Sequence, residues 1–358
     1  MNVQEIERWL REEDADRLAG LLTRANTIRQ QEVGNAIHLR GLLELSNICR
    51  RSCAYCGIGA GHSSITRYRM SEQEILRAID RLVTFGYGTV VLQAGEDPTH
   101  TTQYITDLIR RIKDHADIAI TLSLGERPFD DYLRWKEAGA DRYLLRFETS
   151  DPALFEIIHP HAKGQGNFRL GILRQLREAG FEVGSGVMVG IPGQSWESLA
   201  TDIRLFADLQ LDMIGLGPYI PHPATPLAQK AQSLMLPPDK QVPGTGDVTL
   251  KVLALARIMC PAANIPSTTA LATIDGAKGR MDGLNCGANV VMPNLTPSKY
   301  QKLYEIYPAK AAWDDDDELH HQRIEDMLEA LGRSAGTGHG DSPAFTRRHR
   351  TAPDGGIA

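Results

Sequence analysis

Three of the chain's five cysteines, Cys49, Cys53 and Cys56, fall within the segment ELSNICRRSCAYCGIG in a C-x3-C-x2-C array. Clustered thiols in a chain of 358 residues point to metal or redox chemistry rather than to a disulfide scaffold. Soft thiolates suit iron–sulfur centres, and three of them can cap three corners of a cubane [4Fe–4S] cluster, leaving the fourth iron open to a ligand. A structural zinc site or a closed electron-transfer cluster calls for a fourth protein ligand, and none lies nearby in the sequence. Two other readings stay open on these residues alone: a zinc site completed by His62, or plain buried thiols. Arg50 and Arg51 beside the array can stabilise thiolate charge, or serve only as solvated loop cations.

The elements that would carry this loop are an alternation of short apolar runs and amphipathic helical segments. The runs lie at 41–46, 88–94, 118–124, 142–147 and 182–189, with weaker ones at 212–217, 264–269 and 288–292. Helices are expected at about 72–85, 101–115, 129–138, 167–179, 196–209, 248–260 and 298–306. Glycines in EAG-ADRYLL and EAG-FEVGSG mark helix stops before the next strand. Eight strands alternating with helices predict an α/β chain folded as a (βα)8 TIM barrel, with an open doubly wound sheet as the alternative. In a barrel, functional residues sit at the C-terminal ends of the strands, where the cysteine loop follows the first run.

The expected organisation is an N-terminal helical extension over 1–34, the barrel over 35–308 and a C-terminal tail over 309–358. The extension reads as one helix over 3–33. Residues 221–247 are too long and Pro-rich for an ordinary connection and are expected to form a lid. The tail carries an acidic run, Asp314–Glu318, and one amphipathic helix bearing Leu319, Ile324, Met327, Leu328 and Leu331. Residues 333–358, without periodicity, are expected to be disordered.

The composition, 42% hydrophobic and 23% charged, is that of a globular enzyme, and a net charge of −6 gives no electrostatic ground for a nucleic-acid or anionic-membrane partner. The charged start, MNVQEIERWLREEDADRL, lacks the apolar core of a signal peptide. No apolar stretch reaches the length of a membrane span, and a cytoplasmic location is expected.

With Tyr55 before the last cysteine, and with its position after the first strand, the array resembles that of the radical S-adenosylmethionine superfamily. The resemblance implies that the open iron chelates the methionine moiety and that reductive cleavage yields methionine and a 5′-deoxyadenosyl radical, the barrel positioning the cofactor. LQAGED (Leu92–Asp97) stands where the superfamily binds the methionine amino group, with Gln93, Gly95 and Glu96 as candidates and Ala94 in place of the first glycine. Thr121 and Ser123 of TLSLGE alternate with leucines and can face inward. RYLLRFET puts Arg142, Arg146 and Glu148 at even spacing. Charges inside a barrel need partners or a ligand, and Arg146 with Glu148 can fix the cofactor carboxylate and ribose, or form a structural salt bridge. Arg169 is a further contact candidate. The glycine-rich stretch Val183–Ser195, which includes Met188, backs the adenine in the superfamily and lacks the Gly-Lys-Ser/Thr of a phosphate loop.

Over about residues 30–308 the chain resembles the radical enzymes of [FeFe]-hydrogenase maturation (HydE type). The matching stretches include SNICRRSCAYCGI, RYRMSEQEI, MVGIPGQ, GPYIPHPATPLA, NIPSTTA and CGANVVMPNLTPSKYQKLYEIYP. This implies a small-molecule or organometallic substrate inside the barrel, an external electron donor and other hydrogenase maturation proteins as partners. Ser267, Thr268 and Thr269 of NIPSTTA are candidate substrate contacts through their hydroxyls, or β-branched packing residues. Some family members carry an auxiliary cluster on a C-x7-C-x2-C array; here Cys286 is followed by Asn294 and Pro297, so a single [4Fe–4S] cluster is expected, with Cys260 and Cys286 as buried thiols. A methylornithine-type mutase, a biotin-synthase-like enzyme and a non-catalytic Fe–S carrier or scaffold are the rival readings.

Overall fold

Runs rich in Val, Ile and Leu without polar alternation suit strands covered on both faces, as parallel βα units require. In the computed structural model, which describes residues 1–308 and 317–350, they form a curled parallel sheet. Its strands are β1 (His38–Ser46), β2 (Thr89–Ala94), β3 (Ala119–Ser123), β4 (Arg142–Leu144), β5 (Glu182–Ser185), β7 (Met213–Ile214) and β9 (Val290–Val291), in the order β7-β5-β4-β3-β2-β1-β9. A two-stranded continuation pairs β6 (Met188–Val189) with β8 (Gly217–Pro218). Residues 264–266 join the two edges. Asn264 bridges Met213 and Pro266 bridges Val290, with Ile214 N donating to Asn264 O at 3.0 Å and Ser267 N to Val290 O at 3.0 Å. Pro266 has no N–H to extend that ladder, so the eighth position holds by single bridges. The sheet is thus closed, as the barrel reading expects, and the open doubly wound alternative falls.

The connecting helices are α3 (Glu72–Thr84), α4 (Thr102–His115), α5 (Phe129–Glu137), α6 (Pro152–Ile158), α7 (Arg169–Glu178), α8 (Trp196–Asp208), α9 (Pro226–Leu234), α10 (Gly246–Met259), α11 (Thr269–Asn285, kinked at Gly276) and α12 (Ser298–Gln301). Helices α6 and α11 are absent from the periodicity reading. Only seven residues long, α6 is started by an Asp151 side chain that accepts from Ala153 N and Leu154 N, a local signal that outweighs its short apolar pattern. In α11, three glycines dilute the apolar face. The expected lid contains α9, and the helix expected over 298–306 stops at Gln301.

The N-terminal extension is two helices, α1 (Val3–Leu10) and α2 (Ala15–Val33), rather than one. Asp14 accepts from Arg17 N at 2.9 Å and restarts the helix. α1 packs on α8, and α2 on α10.

The tail is the largest departure from the sequence reading. Beyond α13 (Asp317–Ala330), which buries Ile324 and Leu328, the stretch expected to be disordered runs across the N-terminal ends of the barrel strands and ends in α14 (Pro343–Arg350). Ile37 N donates to Ser334 O at 2.9 Å and Gly336 N to Ile37 O at 2.8 Å. His339 O accepts from Thr89 Oγ1 and Arg142 Nη2, both at 2.8 Å, and Gly340 O accepts from Arg40 Nη2 at 3.0 Å and Asn264 Nδ2 at 2.9 Å. Ser342 N donates to Glu182 Oε1 at 2.9 Å, and Arg348 pairs with Asp212. The segment plugs the base of the barrel. Residues 309–316, with Asp314–Asp316 of the acidic run, and residues 351–358 lie outside the described residues.

Candidate active site

The cysteine loop leaves β1 at the end of the barrel opposite the plug. Its shape is fixed from behind by Arg67, whose guanidinium donates to four carbonyls: Asn47 O (2.5 Å), Ile58 O (2.6 Å), Gly59 O (2.8 Å) and His62 O (3.0 Å). Ala54 ties the loop to its surroundings, with Ala54 N donating to Ile158 O at 2.8 Å and Leu227 N to Ala54 O at 2.9 Å. The second of these bonds anchors the N-terminus of α9, so the expected lid segment packs directly on the cysteine loop.

Cys49 Sγ accepts from Arg51 N and Glu96 N, each at 3.4 Å. Burial raises the pKa of all three thiols; for Cys53 it reaches about 12, with Arg169 opposing the rise. Thiols held protonated in this way release protons when a metal centre takes them as thiolates. His62, the candidate zinc ligand, has Nδ1 on Gly57 O at 2.6 Å and its ring against His222. Among the described residues, no three His, Cys, Asp or Glu side chains surround a single-ion site.

An ionic chain surrounds the loop. Arg51 lies 2.6 Å from Glu96 Oε2 and 2.8 Å from Glu126 Oε2, Arg50 lies 3.2 Å from Glu96, and Arg169 Nε lies 2.8 Å from Glu126 Oε1. Glu96 Oε1 accepts from Glu126 N at 2.9 Å. Arg169 is buried, a condition that disfavours its charge, yet Tyr55, Glu126 and Cys53 hold its pKa above the ordinary value. Glu148 lies 3.2 Å from Arg146 and accepts from Tyr55 Oη at 3.4 Å. Tyr55, Glu96, Glu148 and Arg169 therefore gather around the cysteines. Gln93 donates to Tyr304 Oη at 3.3 Å. Ser123 ends β3, and Thr121 sits midway along it, level with Arg142. Met188 packs in an apolar group with Ala54, Leu154, Ile191, Tyr219 and Leu227.

Other candidates lie elsewhere. Arg142, read with Arg146 and Glu148 as one face, points to the barrel base, where it pairs with Glu182 and Asp341. Glu148 has φ 65°, so the chain leaves strand geometry before the two-residue spacing can be followed. Ser267 Oγ donates to Arg280 O at 2.9 Å and is committed to the backbone. Thr268 Oγ1 is buried without a partner, and Thr269 opens α11. Asn294, at the second auxiliary position, is bonded to Glu44 and Thr296 N, and Pro297 precedes α12. The sequence reading missed Glu126 and Arg67. Glu126 is the last residue of the TLSLGE stretch, where an acid after a glycine at a strand exit is the available signal.

Two glycines permit the close approach of these loops. A Cβ on Gly95 would lie 2.4 Å from Ile48 O and 2.8 Å from Cys49 Cβ, and one on Gly125 (φ 77°) would lie 2.3 Å from Glu96 Cγ. Gly95→Ala is expected to cost about 1–3 kcal/mol through overpacking of the cysteine loop against the β2 exit. Iron and sulfide per chain after anaerobic reconstitution should fall well below wild type; an unchanged content would show that the loop yields freely.

A family model described as the Radical SAM superfamily matches residues 43–206. The chain is 44% identical over 312 residues to the [FeFe] hydrogenase maturase subunit HydE of Thermotoga maritima, covering 87% of this chain and 85% of that protein. It is 27% identical over 321 residues to a 3-methylornithine synthase of Methanosarcina acetivorans, covering 89% and 85%. Among solved structures, methylornithine synthase (PylB) superposes with a TM-score of 0.78 at 24% identity, covering 94% of each chain, a likeness of fold.

Proposed function

The chain belongs to the radical S-adenosylmethionine superfamily, in the HydE family of [FeFe]-hydrogenase maturases, and from that premise we propose how its residues divide the work. It is a radical S-adenosylmethionine enzyme that acts on a small substrate in the barrel, in assembly of the hydrogenase di-iron site. When bound, the [4Fe–4S] cluster supplies the electron for reductive cleavage of S-adenosylmethionine, and the cleaved cofactor supplies the 5′-deoxyadenosyl radical.

Cys49, Cys53 and Cys56 hold that single cluster as thiolates, Arg67 keeping their loop in shape. The backbone at Gly95, with Gln93 and Glu96, orients the methionine amino group. Arg146 and Arg169 give charge-assisted hydrogen bonds to its carboxylate, while Glu148, Thr121, Ser123 and Tyr55 hold the ribose side and Met188 backs the adenine. Thr268 and Thr269, with Ser267 behind them, face the substrate end. Enclosure by the barrel excludes water from the reacting groups.

One observation carries the assignment of the cofactor residues. Arg146 Nε is buried without any hydrogen-bond partner, and Glu148 Oε2 has only its ion pair. Buried polar atoms are nearly always satisfied, so unsatisfied ones beside a three-thiol loop fit a polar ligand.

The substrate is a small sulfur-containing or organometallic molecule, with an external one-electron donor and other maturation proteins acting before and after. Among the described residues no helix is long and apolar enough to cross a membrane, and we assign the enzyme to the cytoplasm. The test is anaerobic reconstitution, reduction with dithionite and assay of 5′-deoxyadenosine and methionine. A [4Fe–4S] spectrum with cofactor cleavage is expected. A cluster without cleavage would favour a non-catalytic carrier, and absence of both would overturn the reading.

A further inference from the structure

Glu148 is one of two non-glycine residues with positive φ among those described. Thr149 N donates to Phe147 O at 2.8 Å, closing a three-residue turn around it, a form that is strained at positive φ. One side chain spans this turn. Both amide hydrogens of Asn167 Nδ2 are used, one on Phe147 O at 2.9 Å and one on Thr149 O at 2.6 Å, the carbonyls on either side of Glu148. Its remaining group, Oδ1, accepts from Arg169 N at 3.1 Å at the start of α7.

We propose that Asn167 is the positioning residue for S-adenosylmethionine, a single amide that holds the Glu148 carboxylate and the Arg169 guanidinium in one fixed relation. This rests on the reading that Glu148 and Arg169 face the cofactor. Arg169 Nη1 donates to Arg146 O at 2.8 Å, which ties the same two loops a second time. On the far side of the turn, Ser150 N and Oγ reach Asp202 Oδ1 at 2.6 and 2.5 Å. Had the strand exit alone mattered, glycine would take φ 65° without strain. A glutamate there needs an outside clamp, and the clamp that is present also sets the neighbouring cationic contact. Only a neutral amide can fill this role, since it alone offers two hydrogens and an acceptor from one planar group.

The experiment compares Asn167→Ala and Asn167→Asp, the latter keeping the acceptor but losing both donors. Asp141→Asn serves as a control. Asp141 Oδ2 accepts from Ile120 N at 2.7 Å and Lys113 Nζ at 2.8 Å, a hydrogen-bond clamp of similar kind at the opposite end of β4. Amide exchange is followed in cofactor-free protein, and labelled S-adenosylmethionine is bound to reconstituted protein by equilibrium dialysis. Both Asn167 variants should exchange faster at residues 148–151 and bind the cofactor about tenfold more weakly or worse. The control should melt lower while binding within about twofold of wild type. Folded Asn167 variants that bind as wild type would overturn the proposal, and so would unchanged exchange at 148–151. If wild type itself fails to bind S-adenosylmethionine, the reading of the cofactor site falls, and the exchange measurement still decides the clamp.

Discussion

A Cys53→Ala chain is expected to fold, to take up iron poorly under anaerobic reconstitution, and to release 5′-deoxyadenosine at least about a thousandfold more slowly than wild type, a loss of ~4 kcal/mol. Cys53 is the middle thiol of the loop, and Arg169, which pairs with Glu126, acts on its charge. Alanine there removes one of three anionic ligands while leaving the cations Arg50, Arg51 and Arg169 in place, so the corner cannot be closed by a neighbouring carboxylate without breaking the ionic chain. The fold has no need of the thiol, because the loop is held by Arg67 and by backbone bonds at Ala54. Cys286→Ala is the matched control: that thiol is buried against Gly283 O, and its loss should leave iron content and cleavage near wild type. Cleavage retained by Cys53→Ala would remove this residue from the ligand set.

The second large effect belongs to the opposite end of the barrel. Glu182→Leu is expected to lower the stability of the cofactor-free protein by about 3–5 kcal/mol, because breaking a buried ion pair strands the remaining charge. Arg142 and Glu182 are both essentially without solvent exposure, and Asp341, the other acid on Arg142, is 46% exposed. Glu182 also accepts from Ser342 N, so the same change loosens the plug. Urea unfolding should show the loss, and limited proteolysis should clip the chain after α13 faster than in wild type. A loss under about 1 kcal/mol with an equally resistant tail would mean that Arg142 finds its partners in the plug alone.

Much of the barrel is legible in the sequence because apolar runs and glycine helix stops are local signals. The eighth strand position is hard to read because Pro266 leaves two bridges where a ladder would lie. The tail segment after α13 cannot be recognised from periodicity at all. It carries few apolar side chains and is held through its carbonyls, His339 O and Gly340 O, by arginines and polar side chains that face inward from distant strands. In the site, the cysteines and Glu96 can be read because a loop motif places them. Glu126 and Asn167 gain their roles only when separate loops meet, and Arg142 is misgrouped because the turn at Glu148 ends the strand's alternation.

The plug also bears on how the molecule is made. Arg40 and Gly340 bond across 300 residues of chain, so the first strand emerges from the ribosome roughly 15–60 s before its last partner is synthesised, at about 5–20 residues per second. Throughout that interval the buried arginines of the barrel base lack their final acceptors. Closure of this end waits on that segment, and a chain cut short before Ser334 would keep its barrel strands but present an open, charged base for quality control to find.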